Sequence, residues 1–280
     1  MTGPPGDAVT FSVVTISYQD EDGLRRTIAS TAEQDYTHVE HIVVDGGSGA
    51  RVEDMLQHSG VGRWRSEPDG GRYPAMNIGS ALASGDVVWF LHSSDTFSHP
   101  GVLSEIASAL GSVARARSCW GFGSARLIPP HSGHDVWRTT SFDRTAFALG
   151  TRPIPHQASF FGRDVLASVG SYDEQFGIAA DQLLMLAASL HTPPLVVDDV
   201  VCDFDTTGAG TVRGLHEHYA DVRRMWDTVE WYPIGGRRAS RLVSRIVEAR
   251  ARVGLAARSA ITANRASLSR SSPPRTASEI

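Results

Sequence analysis

The chain has 280 residues, 41% of them hydrophobic, and a formal charge of −5 at pH 7. That length can bury one large domain or a domain plus an appendage. Its two cysteines, Cys119 and Cys202, exclude a disulfide framework or zinc cluster and fit a reducing compartment, and no apolar run approaches the roughly 18 residues that a membrane span needs.

In chain order, residues 9–17, "VTFSVVTIS", read as a buried strand. Residues 20–34 place Leu24, Ile28 and Thr31 at helical intervals. "VEHIVVDGGS" is a second strand running into a glycine turn, 51–59 a short helix, and 62–68 an extended piece. "AMNIGSALASG", 75–85, predicts a small-residue helix closed by Gly85. An apolar strand, Val87 to Leu91, then breaks into His92, Ser93, Ser94 and Asp95, and Pro100 opens a helix reaching Leu110. Strands alternating with helices predict an α/β fold: a mainly parallel sheet with helices on both faces. Ligands of such sheets bind beyond the carboxyl ends of the strands, where Asp45 and Asp95 stand.

Further on, 118–128 predicts a strand and 129–135 a loop. Residues 158–176 read as strand, short helix and turn. Residues 178–190 read as a helix with Leu183, Leu184, Leu186 and Leu190 supplying apolar surface. A strand over 193–204 precedes the loop "DTTGAGT"; in "CDFDTTGAGT", 202–211, Asp203, Asp205 and the glycines suit either a loop over a ligand or a plain surface loop. "PIGG", 233–236, resembles a linker, and 271–280 has the composition of a disordered end. Residues 237–280 carry ten arginines against Glu248 and Glu279, a charge of +8 that leaves −13 on the rest. An acidic body with a basic tail argues against nucleic acid and for attachment to an anionic surface. On a helical wheel Leu242, Ile246, Ala249 and Val253 share one side, widened by Val243, Val247 and Ala257. Arg237, Arg238, Arg241, Arg245 and Arg252 take the other side, as in a helix lying in a membrane interface. A helix packed on the acidic body would show the same pattern. The opening "MTGPPGDAVTF" lacks the order of a secretory signal, so a cytoplasmic protein is expected, peripheral on the inner face of the plasma membrane.

Several residues carry two readings. Asp45, with Gly46, Gly47 and Ser48, suits contact with a base or ribose, and equally a plain turn. Arg72 suits a phosphate or open solvent. Tyr73 suits stacking or capping, and Asn77 and Gly79 a close helix–sheet contact. Asp95 suits a helix cap or a hard cation such as Mg²⁺ or Mn²⁺, whose other ligands would be diphosphate oxygens and water. His92 reads as a core or rim histidine. No Gly-x-Gly-x-x-Gly follows the first strand, which argues against a nicotinamide enzyme.

"FSVVTISYQDEDGLRRTI", "EHIVVDGGS", "SEPDGGRYPAMNIGSALASGD" and "FLHSSD", in that order, resemble the family-2 glycosyltransferases, in the bacterial branch that builds surface polysaccharides and glycolipids. "PHQASFFGRDVLASVGSYDEQFGIAADQLLMLAA" continues the likeness, which spans about residues 10–210. The resemblance implies a GT-A fold, inversion at the anomeric carbon, a divalent metal (Mn²⁺ or Mg²⁺) and a nucleotide-diphosphate sugar, UDP first, then GDP or dTDP. It implies a nucleotide-binding half over 1–110, an acceptor half over 111–235 and the basic tail, 236–280. Thr15 and Tyr18 fall where the family lines its nucleotide pocket, with Gly46, Arg72, Asn77 and Ser94 beside them. Asp45 matches the base-contacting acid, Asp95 the last acid of the metal motif, and Asp181 the catalytic base. Asp173 and Glu174 are the alternative bases, and a helix N-cap is the structural alternative for Asp181. His156 and Gln157 are candidate acceptor contacts. Three positions depart from the pattern: Ser93 replaces the first metal-motif acid, Met76 an arginine and Pro74 an acid.

The expected function is transfer to a glycan or lipid-linked acceptor in cell-envelope biosynthesis. Its rival is a non-catalytic nucleotide-sugar or glycan-binding module with a degraded metal motif, for which Ser93 is the support.

Overall fold

The structure is a computed structural model describing residues 8–131, 133–208 and 214–270. Residues 209–213, which include the end of "DTTGAGT", and 271–280 lie outside the described residues. The chain divides into two compact units, residues 1–212 and 213–280.

The first unit is built on one sheet, ordered β3-β2-β1-β4-β8-β6-β9-β5. Its first half is parallel: β1 (Phe11–Ser17) lies between β2 (Val39–Asp45) and β4 (Val87–Phe90), with β3 (Arg63–Ser66) outside β2. Every residue of β1 and β4 is buried, as a strand covered on both faces requires. α1 (Glu21–Ala32) and α2 (Ala50–His58) pack Leu24, Ile28, Val52 and Leu56 on Val43 of one face. α3 (Arg72–Leu82) covers the other face so closely that a Cβ at Gly79 would strike Val14.

The second half is mixed. β5 (Thr96–Phe97) and α4 (Val102–Leu110) are followed by α5 (Val113–Ser118) and the long β6 (Trp120–His131). β8 (Ser159–Gly162) runs antiparallel to both β4 and β6, and β9 (Leu195–Asp205) parallel to β6. α6 (Arg144–Ala148), α7 (Arg163–Val169) and α8 (Ala180–His191) complete the unit.

Three predicted boundaries differ. α3 starts at Arg72, three residues early, because Gly70 and Gly71 have positive φ and turn the chain in. Pro74 falls in its first turn, where a missing N–H costs nothing. α3 ends at Leu82, with Ala83 rather than Gly85 as its C-cap. The Gly85 N–H instead bonds Ser12 Oγ at 2.8 Å, in a contact too close for any side chain. The predicted loop 129–135 is a hairpin: β6 runs on to pair with β7 (His134–Trp137), with a bulge where Pro129 and Pro130 offer no N–H.

The second unit pairs α9 (Leu215–Thr228), a helix not predicted from the sequence, with α10 (Arg237–Arg270). Ion pairs join them. Asp227 holds Arg237 at 3.0 Å and Arg241 at 2.6 Å, and Arg223 holds Glu248 at 2.9 Å, which also pairs with Arg252 at 2.6 Å within α10. Three of the five arginines assigned to a membrane are therefore engaged within the unit. The face of α10 that carries Ser240, Ser244 and Glu248 is buried. Leu242, Ile246 and Val253 are 62%, 51% and 70% exposed. No helix among the described residues is long and apolar enough to cross a membrane.

Candidate functional site

The parallel strands end on a cavity of about 780 Å³ in the first unit. Ile16, Ser17 and Tyr18 enter from the end of β1, Gly46 from β2, His92 to Asp95 from β4, and Phe204 and Asp205 from β9. Gly71, Arg72 and Ala75 bring in the amino end of α3.

The Asp95 loop is fixed from several sides. Ser94 adopts a left-handed φ of 75°, and its hydroxyl donates to Asp20 Oδ2 at 2.8 Å while accepting from Arg26 at 3.1 Å. The Thr27 hydroxyl donates to the Asp95 carbonyl at 2.7 Å. A Cβ at Gly23 would collide with Asp20 and Ser94, so glycine permits this approach. Asp95 is 3% exposed, and its Oδ1 accepts the Asp205 N–H at 2.8 Å. Burial pushes its carboxyl well above the usual range; the Asp205 N–H and Arg72 pull it down, and the Asp205 and Asp20 carboxylates push it up.

Arg72 is the cation of this end. It opposes protonation of His92 and His156, both already held neutral by burial, His156 at about 3. No side chain caps the amino end of α3 at Gly71, so its first N–H groups can meet an anion in the cavity. At the other end a Cβ at Gly46 would come within 3.1 Å of the Tyr18 ring and 3.2 Å of Asp69. Glycine thus leaves a slot beside Tyr18, which is 62% exposed.

Of the predicted site residues, Tyr18, Gly46, Arg72, Ser94, Asp95 and Gln157 line the cavity. Thr15, Asp45, Asn77, His156 and Asp181 are not among its lining residues. Thr15 is fully buried two residues before the end of β1, and its hydroxyl meets His41 at 2.9 Å. Asp45 is fully buried, and its carboxylate accepts Gly47 N–H, Ser48 N–H, Ser48 Oγ and Ser66 Oγ. It holds the turn that presents Gly46. Asn77 clamps α3 to the acceptor-side segment, donating to the Tyr172 carbonyl and Glu174 and accepting the Tyr172 N–H. His156 is buried against the Tyr172 hydroxyl at 2.8 Å, while Gln157 reaches His92 at 3.3 Å.

Asp181 lies in the first turn of α8. The N-cap is Ala179, so the capping alternative does not hold, and Asp181 Oδ1 accepts the Gln182 N–H at 2.7 Å. Tyr73, next to Arg72, stacks on Tyr172 and donates to the Ile178 carbonyl at 2.6 Å. Burial pushes the Tyr73 hydroxyl up, and the backbone of Asp181 and Ala180 pulls it back down. One tyrosine thus ties the Arg72 end of α3 to the start of α8.

Sequence reasoning missed Asp20 and the bond between Asp205 and Asp95, and it read His92 as core or rim where it lines the cavity. The order Asp20-Glu21-Asp22 before a helix was a legible N-cap signal; the 110-residue separation of Asp205 from Asp95 was not. A separate cluster, His99 with Glu105 at 3.9 Å and Asp199 at 4.0 Å, brings three metal-type ligands together. There His99 Nδ1 accepts the Gly101 N–H, which puts the proton of a neutral ring on the Nε2 that faces both carboxylates. That nitrogen is a hydrogen-bond donor there, not a free ligand.

The profile of the glycosyl transferase family 2 matches residues 12–154. An uncharacterized glycosyltransferase of Mycobacterium tuberculosis is 48% identical over 237 residues, covering 83% of this chain and 89% of that protein. Among solved structures, Staphylococcus aureus TarS 1–349 in complex with UDP-GlcNAc superposes with a TM-score of 0.58 at 17% identity, covering 79% of this chain and 66% of that one. A Pyrobaculum calidifontis mannosyltransferase in complex with GDP-Man and Mn²⁺ gives 0.57 at 16% identity, covering 96% and 82%. The fold is that of the GT-A enzymes, and the chain belongs to glycosyl transferase family 2 as a glycosyltransferase.

Proposed function

We propose that this glycosyltransferase moves a sugar, with inversion, from a nucleotide-diphosphate donor to a hydroxyl of a glycan or lipid-linked acceptor in cell-envelope biosynthesis. The carrying observation is one cavity that joins a slot beside Tyr18 and Gly46 to the Arg72–Asp95 end. The base lies in the slot and the diphosphate at Arg72 and the amino end of α3. UDP is the first candidate, with GDP or dTDP next. The hard oxygens around Asp95 fit Mg²⁺ or Mn²⁺, which when bound supplies Lewis-acid stabilisation of the leaving diphosphate. Asp181 takes the proton of the acceptor hydroxyl, a role worth about 10²–10⁴-fold in rate. Gln157, held by His92, lies on the acceptor side of the cavity.

The test is nucleotide release from UDP-, GDP- and dTDP-sugars with Mn²⁺, for wild type and Asp181→Asn. One donor should turn over. Asp181→Asn should lose orders of magnitude in kcat with donor affinity kept, since the loss is felt in the transition state. Nucleotide binding without release in wild type would make the chain a binding module.

The exposed stripe of Leu242, Ile246 and Val253 supports docking on an anionic membrane. The polar side of α10 is turned to α9, so its apolar side is left outward, with Arg238 and Arg245 exposed beside it. Co-sedimentation with anionic liposomes should fall with salt and be lost in Ile246→Glu. Equal sedimentation of that variant would remove α10 as the anchor.

A further inference from the structure

Affinity of a hard cation follows the number of charged oxygens around it, and Ser93 leaves the motif loop with Asp95 alone. Four acids line the cavity: Asp20, Asp69, Asp95 and Asp205. Their hydrogen bonds separate them. Asp20 has both oxygens occupied, Oδ1 by the Gly23 N–H and Oδ2 by the Ser94 hydroxyl. Asp69 accepts the Gly71 N–H at 2.8 Å and stands by Gly46, at the slot end.

Asp205 differs. β5 follows Asp95 directly and pairs antiparallel with β9, Thr96 opposite Asp203. This register carries the end of β9 past the motif loop, where the Asp205 N–H meets Asp95 Oδ1 at 2.8 Å. Asp205 Oδ1 takes the Thr207 N–H at 2.7 Å and the Thr207 hydroxyl at 2.6 Å. Asp95 and Asp205 each keep Oδ2 without a hydrogen-bond partner among the described residues, and neither oxygen is sealed from solvent.

We infer that Asp205 supplies, from β9, the second carboxylate of the cation site in place of Ser93. The role of the two-residue β5 follows, since its ladder to β9 keeps two acids side by side that are 110 residues apart. The inference rests on the metal-dependent reading above.

The test is Mn²⁺ affinity, read from the free-ion EPR signal in the presence of UDP, GDP or dTDP. Asp205→Asn keeps the oxygen for Thr207 and the N–H for Asp95, and removes the charge. It should weaken Mn²⁺ by about tenfold or more, with nucleotide affinity in EDTA unchanged and the melting temperature not lowered. Adding Ser93→Asp to Asp205→Asn should restore Mn²⁺ binding, which a merely structural role for Asp205 would not allow. Wild-type Mn²⁺ affinity in Asp205→Asn, with loss in Asp95→Asn, would overturn the role of Asp205 and leave the metal reading standing. Absence of Mn²⁺ binding by wild type with all three nucleotides would overturn both.

Discussion

Two cavities of similar size lie on the same strands of the first unit, and one of the two has the makings of a site. The second, about 690 Å³, lies at the amino ends of β2 and β3, between the carboxyl ends of α1 and α2. Its polar groups are taken up by residues around it. Glu40 accepts from Ser12, Ser84 and the Gly85 N–H, His41 meets Thr15, the Tyr36 hydroxyl donates to the Val9 carbonyl, and Arg63 to the Leu82 carbonyl. In the first cavity Asp95 and Asp205 hold oxygens in reserve, Arg72 faces the acids, and an uncapped helix start opens inward. Volume does not mark a site; polar groups left with bonding capacity do.

The sharpest break of that comparison is a pair of variants with opposite effects. Asp95→Asn should lower transfer by about a thousandfold or more, on the scale of losing a group that stabilises transition-state charge. It should also raise the melting temperature without metal, because a buried acid among other acids loses its charge. Glu40→Ala in the second cavity should do the reverse. Removing the carboxylate that accepts from Ser12, Ser84 and, beside Ser12 Oγ, the Gly85 N–H costs about 1–3 kcal/mol, with turnover near wild type. Loss of turnover in Glu40→Ala without loss of folding would make the second cavity functional.

A smaller effect separates the two ends of the first cavity. Arg72→Ala should weaken a nucleoside diphosphate by about 10–100-fold, the worth of a charge-assisted bond. The parent nucleoside, held at Tyr18 and Gly46, should be almost unaffected. Equal losses for both, by calorimetry, would take Arg72 away from the diphosphate.

The smallest effect is on stability against pH. Burial holds His41, at the second cavity, down at about 4, and His156, behind the first, at about 3. Below the ordinary value of about 6.5 the unfolded chain binds protons that the folded chain refuses. Their contribution is complete above that pH and falls as pH drops towards 4 and then 3, by up to about 1.4 kcal/mol per pH unit for each histidine. Urea midpoints between pH 7 and 5 should show this fall, with the slope reduced in His41→Gln.

Much of this molecule is legible in the sequence where physics is local. The alternation of apolar runs and helical spacings locates β1, α1, β2, α2 and β4, and strand ends point to the cavity. Contacts made at a distance are not legible. Asp45 looks like a base contact until Ser66, 21 residues on, is found on its carboxylate. Asn77 belongs to a clamp whose partner lies 95 residues away. The wheel of α10 separates apolar from basic, yet does not say that α9 takes the polar side, Asp227 holding Arg241 and Arg223 holding Glu248.

The most direct measurement is a crystal structure of the full chain grown with Mn²⁺ and the nucleotide diphosphate that raises its melting temperature most. The account predicts density for the base between Tyr18 and Gly46, the diphosphate at Arg72 and the cation at Asp95. Nucleotide bound instead between α1 and α2, or bound in the first cavity with its phosphates turned away from Arg72, would contradict it.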